Sequence, residues 1–291
     1  MRAIGITVHR TDIDHSPAIE ITVSDETAHC ALNGQIVAPR VVLFRYFSPT
    51  ATGSPSDSIS REFIRNEWRA LSEVLRVVFV GKTLNAGATP ESIDVLTQLQ
   101  TAKRCGFDIP TTRITNTLAA VPGSILLKAV SIHSVEPEPG TIYTVSPRML
   151  EHDRAGLSLQ LAPVVAQATV DSNTEVRVYV IDTTVVAYRV VQSEISDRWK
   201  QPSAVHVTPY PLPQQHHAKF LEMAAACDLD LCAIDAFIED EKVVFLEVNP
   251  VFNWMWYEAR ANAKTVSALI VKAIAERVLN DRKADQSESP A

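Results

Sequence analysis

The chain has 291 residues, 46% hydrophobic and 21% charged, an ordinary globular composition with room for two or three subdomains. Its net charge is −7 with no basic block, so it carries no electrostatic footprint for nucleic acid. No apolar run reaches the ~20 residues of a membrane span, and Met1 to His9 is too short and interrupted for a signal peptide, so the expected location is the cytoplasm.

Short β-branched or aromatic runs at 2–8, 19–23 and 41–47 predict strands, with Asn33-Gly34 as a hairpin turn between the second and third. Residues 49–58, rich in Ser, Thr, Pro and Gly, read as an exposed loop. From Ser60 an amphipathic helix begins, with Phe63, Ile64, Trp68, Leu71, Val74 and Leu75 at three- and four-residue spacing. A short strand over 77–80 and a helix over about 90–105, closed by Gly106, follow, and the alternation of strands with helices suggests a small open α/β domain over the first ~90 residues. From Thr111 the pattern turns strand-rich: 124–130, 141–144, 164–168, 176–181 and 185–191, the last two joined by Asp182-Thr183-Thr184. A helix over 214–227 follows, opening with His216 and His217, which are expected to face solvent. A helix over 264–280 and a frayed polar tail from Asp281 end the chain. Cys30, Cys105, Cys227 and Cys232 have no C-x-x-C spacing and are expected to be reduced and packed.

The chemistry concentrates between the last two helices, in Ala233-Ile-Asp-Ala-Phe-Ile-Glu-Asp-Glu-Lys-Val-Val-Phe-Leu-Glu-Val-Asn-Pro250. Two apolar strands, 232–238 and 243–248, flank the polar turn Glu239-Asp240-Glu241-Lys242. Alternation puts Asp235 on one face with Ala233 and Phe237, and Glu247 on one face with Asn249. Paired antiparallel, the hairpin brings Asp235, Glu247 and Asn249 to one spot. Two carboxylates and an amide oxygen are hard donors, suited to Mg2+ held with nucleotide phosphates. Without such a partner they are costly to bury among apolar strands. A salt-bridged rim is the alternative.

Four stretches in order resemble the ATP-grasp superfamily, and within it the peptide maturases of the microviridin or graspetide type. Gln98-Leu-Gln-Thr-Ala-Lys-Arg-Cys-Gly-Phe-Asp-Ile-Pro-Thr-Thr-Arg-Ile-Thr-Asn116 looks like their helix followed by G-x-x-I-P-x-T-x-x-T-N. Gly140-Thr-Ile-Tyr-Thr144 with Leu161-Ala-Pro-Val-Val-Ala-Gln167 looks like the strand pair leading to the adenine hinge. Glu175-Val-Arg-Val-Tyr-Val-Ile181 looks like E-L-R-V before a short turn. Phe245-Leu-Glu-Val-Asn-Pro250, followed by Trp254-Met-Trp-Tyr-Glu258, looks like their ending. The spacing of Asp235 and Glu247 also resembles that in ribosomal-protein glutamate ligases. Two positions depart from the family: Val95 stands where the maturases carry a lysine, and Ala168 where an acidic residue follows the hinge glutamine.

The resemblance implies an ATP-grasp fold, α/β joined to α+β. It divides into a pre-ATP-grasp domain over 1–90, subdomains over 91–170 and 171–280 that clasp ATP, and a disordered tail over 281–291. It implies ATP and Mg2+, an acyl phosphate, and a precursor peptide crosslinked through ester or amide bonds, with a homodimer possible. Lys128, a lone lysine in an apolar strand, would sit on the phosphates, and Lys103 or Arg104 would stand in at the phosphate contact that Val95 lacks. Gln167, Ala168, Thr169 and Val170 would form the adenine hinge, with Glu175 in the nucleotide set. Arg177 would clamp the transferring phosphoryl group, and Arg189, on the partner strand, would lie beside it. Residues 131–140 would form a flap, and Trp254, Trp256 and Tyr257 a wall of the acceptor pocket. The bland readings are a snorkelling Lys128, an Arg177–Glu175 ion pair, a solvent loop and simple aromatic packing. Two rivals share these residues: a ligase for free amino acids or dipeptides, and a nucleotide-binding regulator with a decayed site.

Overall fold

The computed structural model describes residues 5–15, 17–24, 27–45, 57–85, 93–117, 124–131, 134–138, 141–150, 162–172, 174–194 and 197–287. By compactness the chain divides into two units, one of residues 1–86, 136–142 and 268–291 and the other of 87–135 and 143–267.

A three-stranded antiparallel meander comes first: β1 (Ile19–Ser24), β2 (Thr27–Leu32) and β3 (Gln35–Val37). Asn33 and Gly34 both take positive φ, 49° and 78°, as a primed hairpin turn requires. The turn joins β2 to β3, not the two runs expected. Residues 41–45 contribute only a bridge from Val42 to Thr83, and the described part of 2–8 is irregular. Helix α1 (Ser58–Val78) starts where Asp57 accepts the Ser60 N–H at 2.7 Å. It takes in the first half of the expected strand at 77–80, with Phe79 and Val80 in the turn that follows, because extending a formed helix adds a hydrogen bond for each residue fixed.

Helix α2 (Val95–Arg104) is capped by Asp94, which accepts the Thr97 N–H at 3.0 Å, and stops at Gly106, φ 78°. Next come β4 (Thr112–Thr115), β5 (Ile125–Lys128), β6 (Ser134–Glu138), β7 (Thr141–Thr144), β8 (Arg148–Leu150) and β9 (Val164–Ala168). β6, inside the expected flap, pairs as a ribbon with β7 just beyond it, and the others form an antiparallel sheet in the order β4-β9-β5-β8. The rest is β10 (Glu175–Ile181), β11 (Thr184–Val191), α3 (Asp197–Lys200), β12 (His206–Tyr210), α4 (Gln214–Ala226), β13 (Leu231–Glu239), β14 (Lys242–Asn249), α5 (Met255–Ala261) and α6 (Thr265–Ser287).

The five strands pair antiparallel in the order β12-β11-β10-β13-β14. One face of this sheet is the main core. Val176, Val178, Val180, Ile234 and Phe245 pack there with Leu99 of α2 and with Phe220 and Met223 of α4. Phe107, just past α2, centres it, its ring edge-on to Phe220 at 5.2 Å and to Phe245 at 5.8 Å. His216 is buried, not solvent-facing; its Nε2 lies 3.2 Å from the Asp240 carbonyl. All four cysteines are free thiols. Among the described residues no helix is long and apolar enough to cross a membrane.

The expected frayed tail is helical as far as Ser287. Asp281 accepts hydrogen bonds from Arg40 Nη1 at 2.7 Å and Lys82 Nζ at 3.0 Å, which tie α6 down. Those bonds, Lys82 first and then Arg40, hold its carboxyl below the usual range. A depressed folded pKa contributes stability above the unfolded value, near ~4, that is lost as pH falls through the folded one. Hydrogen exchange corrected for intrinsic rates should therefore show the end of α6 loosening below about pH 4, and Asp281→Asn should remove that pH dependence.

Candidate active site

The strand β14 reaches the site through a bulge. Ala233 pairs with Asn249 and Asp235 with Glu247, but Ala236 pairs with Phe245, so Leu246 is an extra residue. Strict alternation would place Glu247 on the face of Phe245, inside the core, where its charge would be prohibitive. The bulge keeps Val243, Phe245 and Val248 in the core and turns Glu247 and Asn249 to the other face, beside Asp235.

The three expected ligands converge there. Asn249 Nδ2 donates to Glu247 Oε1 at 3.2 Å and to Asp235 Oδ2 at 3.4 Å. Arg177 lies opposite Asp235 across β10 and β13, and its Nη1 donates to both carboxylate oxygens, at 2.8 and 3.1 Å. The guanidinium stands over the rings of Tyr257, 4.8 Å away, and Tyr179, 5.9 Å away. Arg177 is 7% exposed and Asp235 2%, so this is a buried ion pair.

Burial pushes the Asp235 carboxyl up to about 7; Arg177 pulls it down and the charge of Glu247 pushes it up. For Arg177, burial opposes the charge most strongly, but Asp235, with Tyr257, Tyr179 and Glu247, together outweighs it and keeps the guanidinium ionised. The short contact to both oxygens marks the ionised pair as the form that the geometry is built for.

This donor set suits a hard divalent cation. An amide N–H₂ between two carboxylates marks where their repulsion needs a positive partner. A half-turn of that amide presents Oδ1 instead, in nearly the same shape. Glu247 and Asn249 are half-buried, so the site opens on their side. Among the described residues no three His, Cys, Asp or Glu side chains form a metal cluster.

No protein-family model matches the chain, and no curated protein does. Solved structures do. Macrocyclase MdnC from Microcystis aeruginosa MRC, bound with precursor peptide MdnA, aligns with a TM-score of 0.74 and 20% identity over 94% of this chain and 93% of its own. A Chryseobacterium gregarium RiPP-associated ATP-grasp ligase, in complex with ADP and a leader and core peptide, gives 0.71 and 18% over 95% and 90%. ATP-grasp ligase PsnB, complexed with a phosphomimetic variant of a minimal precursor, Mg and ADP, gives 0.67 and 21% over 89% and 86%. The chain has the ATP-grasp fold.

Within this ATP-grasp chain the other expected site residues fall less simply. Arg189 pairs with Val176, one register step from Arg177, so it emerges exposed on the opposite sheet face and cannot stand beside Arg177. Glu175 is not the partner of Arg177. It is gripped by Arg198 and accepts from Gln192 Nε2 at 3.0 Å, a network supplied by the segment after β11. Lys128, half-buried, pairs with Val165, which puts it on the face of the four-stranded sheet that also carries Gln167. Gln167 is buried and donates to Thr112 Oγ1 at 3.0 Å, so its amide N–H₂ is already engaged. The Ala168 N–H donates to the Thr111 carbonyl at 2.8 Å; Thr169 and Val170 lie past the ladder. Val95 packs on the main core.

The aromatic trio does not act as one. Tyr257 packs on Tyr179 and Arg177, and Trp254 donates to Ser267 Oγ at 3.0 Å. Trp256 lies under the Arg260 guanidinium at 3.6 Å. Sequence reasoning missed Arg198 and Gln192, because a four-residue helix and the residue just past a strand end carry too little periodicity to betray a partner.

Proposed function

We propose that this chain is an ATP- and Mg2+-dependent ligase that joins side chains of a precursor peptide through an acyl phosphate. The observation that carries the reading is the meeting of Asp235, Glu247, Asn249 and Arg177 on one sheet face of an ATP-grasp fold. The peptides bound to MdnC, PsnB and the Chryseobacterium ligase support a peptide as the substrate class. In this reading residues 91–170 carry the nucleotide hinge and 171–280 the metal.

A peptide carboxylate oxygen attacks the γ-phosphorus, the bond to the β-phosphate oxygen breaks, and ADP leaves. A hydroxyl or amine of a second side chain then attacks the acyl carbon. The bond to phosphate breaks, and the nucleophile's proton leaves to phosphate or solvent. Bound Mg2+ supplies Lewis-acid neutralisation of the phosphate oxygens. Asp235, Glu247 and Asn249 hold it, Arg177 balances charge beside Asp235, and Lys128 meets the phosphates. Positioning does most of the remaining work.

The test is to incubate the chain with MgATP and a short acidic peptide rich in Thr, Ser and Lys. ADP release that rises with peptide, together with loss of one water per crosslink by mass spectrometry, is expected. A rise only with free amino acids selects a small-molecule ligase, and no rise with either rejects the proposal. Lys128→Ala should weaken ATP binding roughly tenfold to a hundredfold, the range for hydrogen bonds to charged groups. Unchanged affinity by calorimetry would remove Lys128 from the phosphate site.

A further inference from the structure

The strand that carries Glu247 and Asn249 lies at the sheet edge, with β13 on one side and, among the described residues, no further strand on the other. An edge leaves backbone groups to be satisfied by something else. Near the start of β14 a bridge does this: the Asp108 N–H donates to the Val243 carbonyl at 2.9 Å, and the Phe245 N–H to the Asp108 carbonyl at 2.8 Å. The extra residue Leu246 then shifts the alternation. The next N–H turned away from β13 belongs to Val248, three positions on instead of two, beyond the reach of that bridge.

Its partner is a side chain from another element. Gln98 of α2 accepts the Val248 N–H on Oε1 at 3.0 Å, while its Nε2 donates to the Ile93 carbonyl at 2.8 Å. Both ends of the amide are therefore held, which fixes its orientation. Alternation makes Pro250 the next outward residue, and it has no N–H to satisfy. The outward N–H past the bulge is thus held by Gln98, at the residue between Glu247 and Asn249. α2 is itself pinned by its Asp94 cap and by Leu99 and Ala102 in the core.

We propose that Gln98 is a positioning residue for the metal site: by anchoring Val248 it sets the aim of the two ligands on either side. Without that bond Val248 keeps its core packing but loses its outer hydrogen bond, and the aim of Glu247 and Asn249 loosens. Partners of this kind behind metal ligands typically change metal affinity by about 10–100-fold. The inference rests on the ligase reading for its metal, and on the structure for its geometry.

The test compares Gln98→Leu, which removes acceptor and donor at similar volume, with Gln98→Glu, which keeps an acceptor oxygen for Val248. Residue-resolved hydrogen exchange follows the Val248 amide against core amides such as Val178 and Ile234. Calorimetry follows Mg2+ binding in the presence of ADP. Gln98→Leu should expose the Val248 amide, leave the core protected, and weaken Mg2+ about tenfold, while Gln98→Glu, which keeps the acceptor but sets its second oxygen against the Ile93 carbonyl, should protect Val248 and bind Mg2+ better than Gln98→Leu does. Should Gln98→Leu lose core protection, Gln98→Met keeps the stem and replaces it. An exposed Val248 with unchanged Mg2+ affinity, or a Val248 that stays protected in Gln98→Leu, overturns the proposal. Absence of Mg2+–ADP binding in the unaltered chain overturns the ligase reading itself, a separate result.

Discussion

Glu247→Gln is expected to lower the rate of ADP formation on the order of a thousandfold, several kcal/mol of charge stabilisation, with Tm within a few degrees of the original. The two effects separate because the side chain does two different things. Structurally it accepts a hydrogen bond from Asn249 Nδ2, and a glutamine oxygen can still accept one. Its charge also pushes the neighbouring Asp235 towards protonation, so losing the charge relieves a repulsion inside the fold. In the proposed metal site it is one of two anionic donors, and an amide does not replace a carboxylate on a divalent cation. Asn249→Ala should behave similarly. Steady-state kinetics with thermal unfolding decide the matter: a folded Glu247→Gln within about threefold of the original rate ends the metal assignment, since no lost ligand has so small an effect.

Arg177→Met is expected to cost about 3–5 kcal/mol of stability, because it leaves the Asp235 carboxylate buried without its counter-charge. The loss should depend on pH. With Arg177 gone, burial and the charge of Glu247 both raise Asp235, and nothing so close opposes them. A carboxyl raised in the folded state holds a proton that the unfolded chain releases, so stability falls as pH rises from the unfolded value towards the raised one. The deficit should therefore be smaller near about pH 5 than near about pH 8, in urea unfolding at both. Arg177→Met combined with Asp235→Leu should recover most of the stability and none of the activity. Equal stabilities at the two pH values would mean that Asp235 is not the buried charge described.

Much of the site was legible because local spacing carries it. The hairpin β13–β14, the end of α2 at Gly106 and the paired strands β10–β11 follow from period-two alternation and a C-terminal glycine, whereas α2, expected from about 90, starts at Val95 behind its Asp94 cap. The same period predicted that Glu247 and Asn249 share a face, and they do. It did not announce Leu246 as an extra residue, although Val243, Phe245 and Val248 show it once the core is known. The failures share one cause. Residues 77–80 and 41–45 look like strands by composition, but a strand needs a neighbour, and there α1 or a single bridge is what the chain meets. Arg189 was placed beside Arg177 because the strands are partners; the register is one step off, and one step changes the face.

By itself the sequence determined which side chains are available and, through short-range period and capping, which of them ride on the same strand or helix. That covered Asp235, Glu247 and Asn249, because a hairpin brings nearby positions together with a short loop to close. Only the tertiary structure decided what stands against them. Arg177, 58 positions before Asp235, is its counter-ion, and Gln98, 150 positions before Val248, ties the strand edge. Such contacts depend on strand order and register across the sheet, which are set by burial of the whole apolar face and leave no mark in a local stretch of residues.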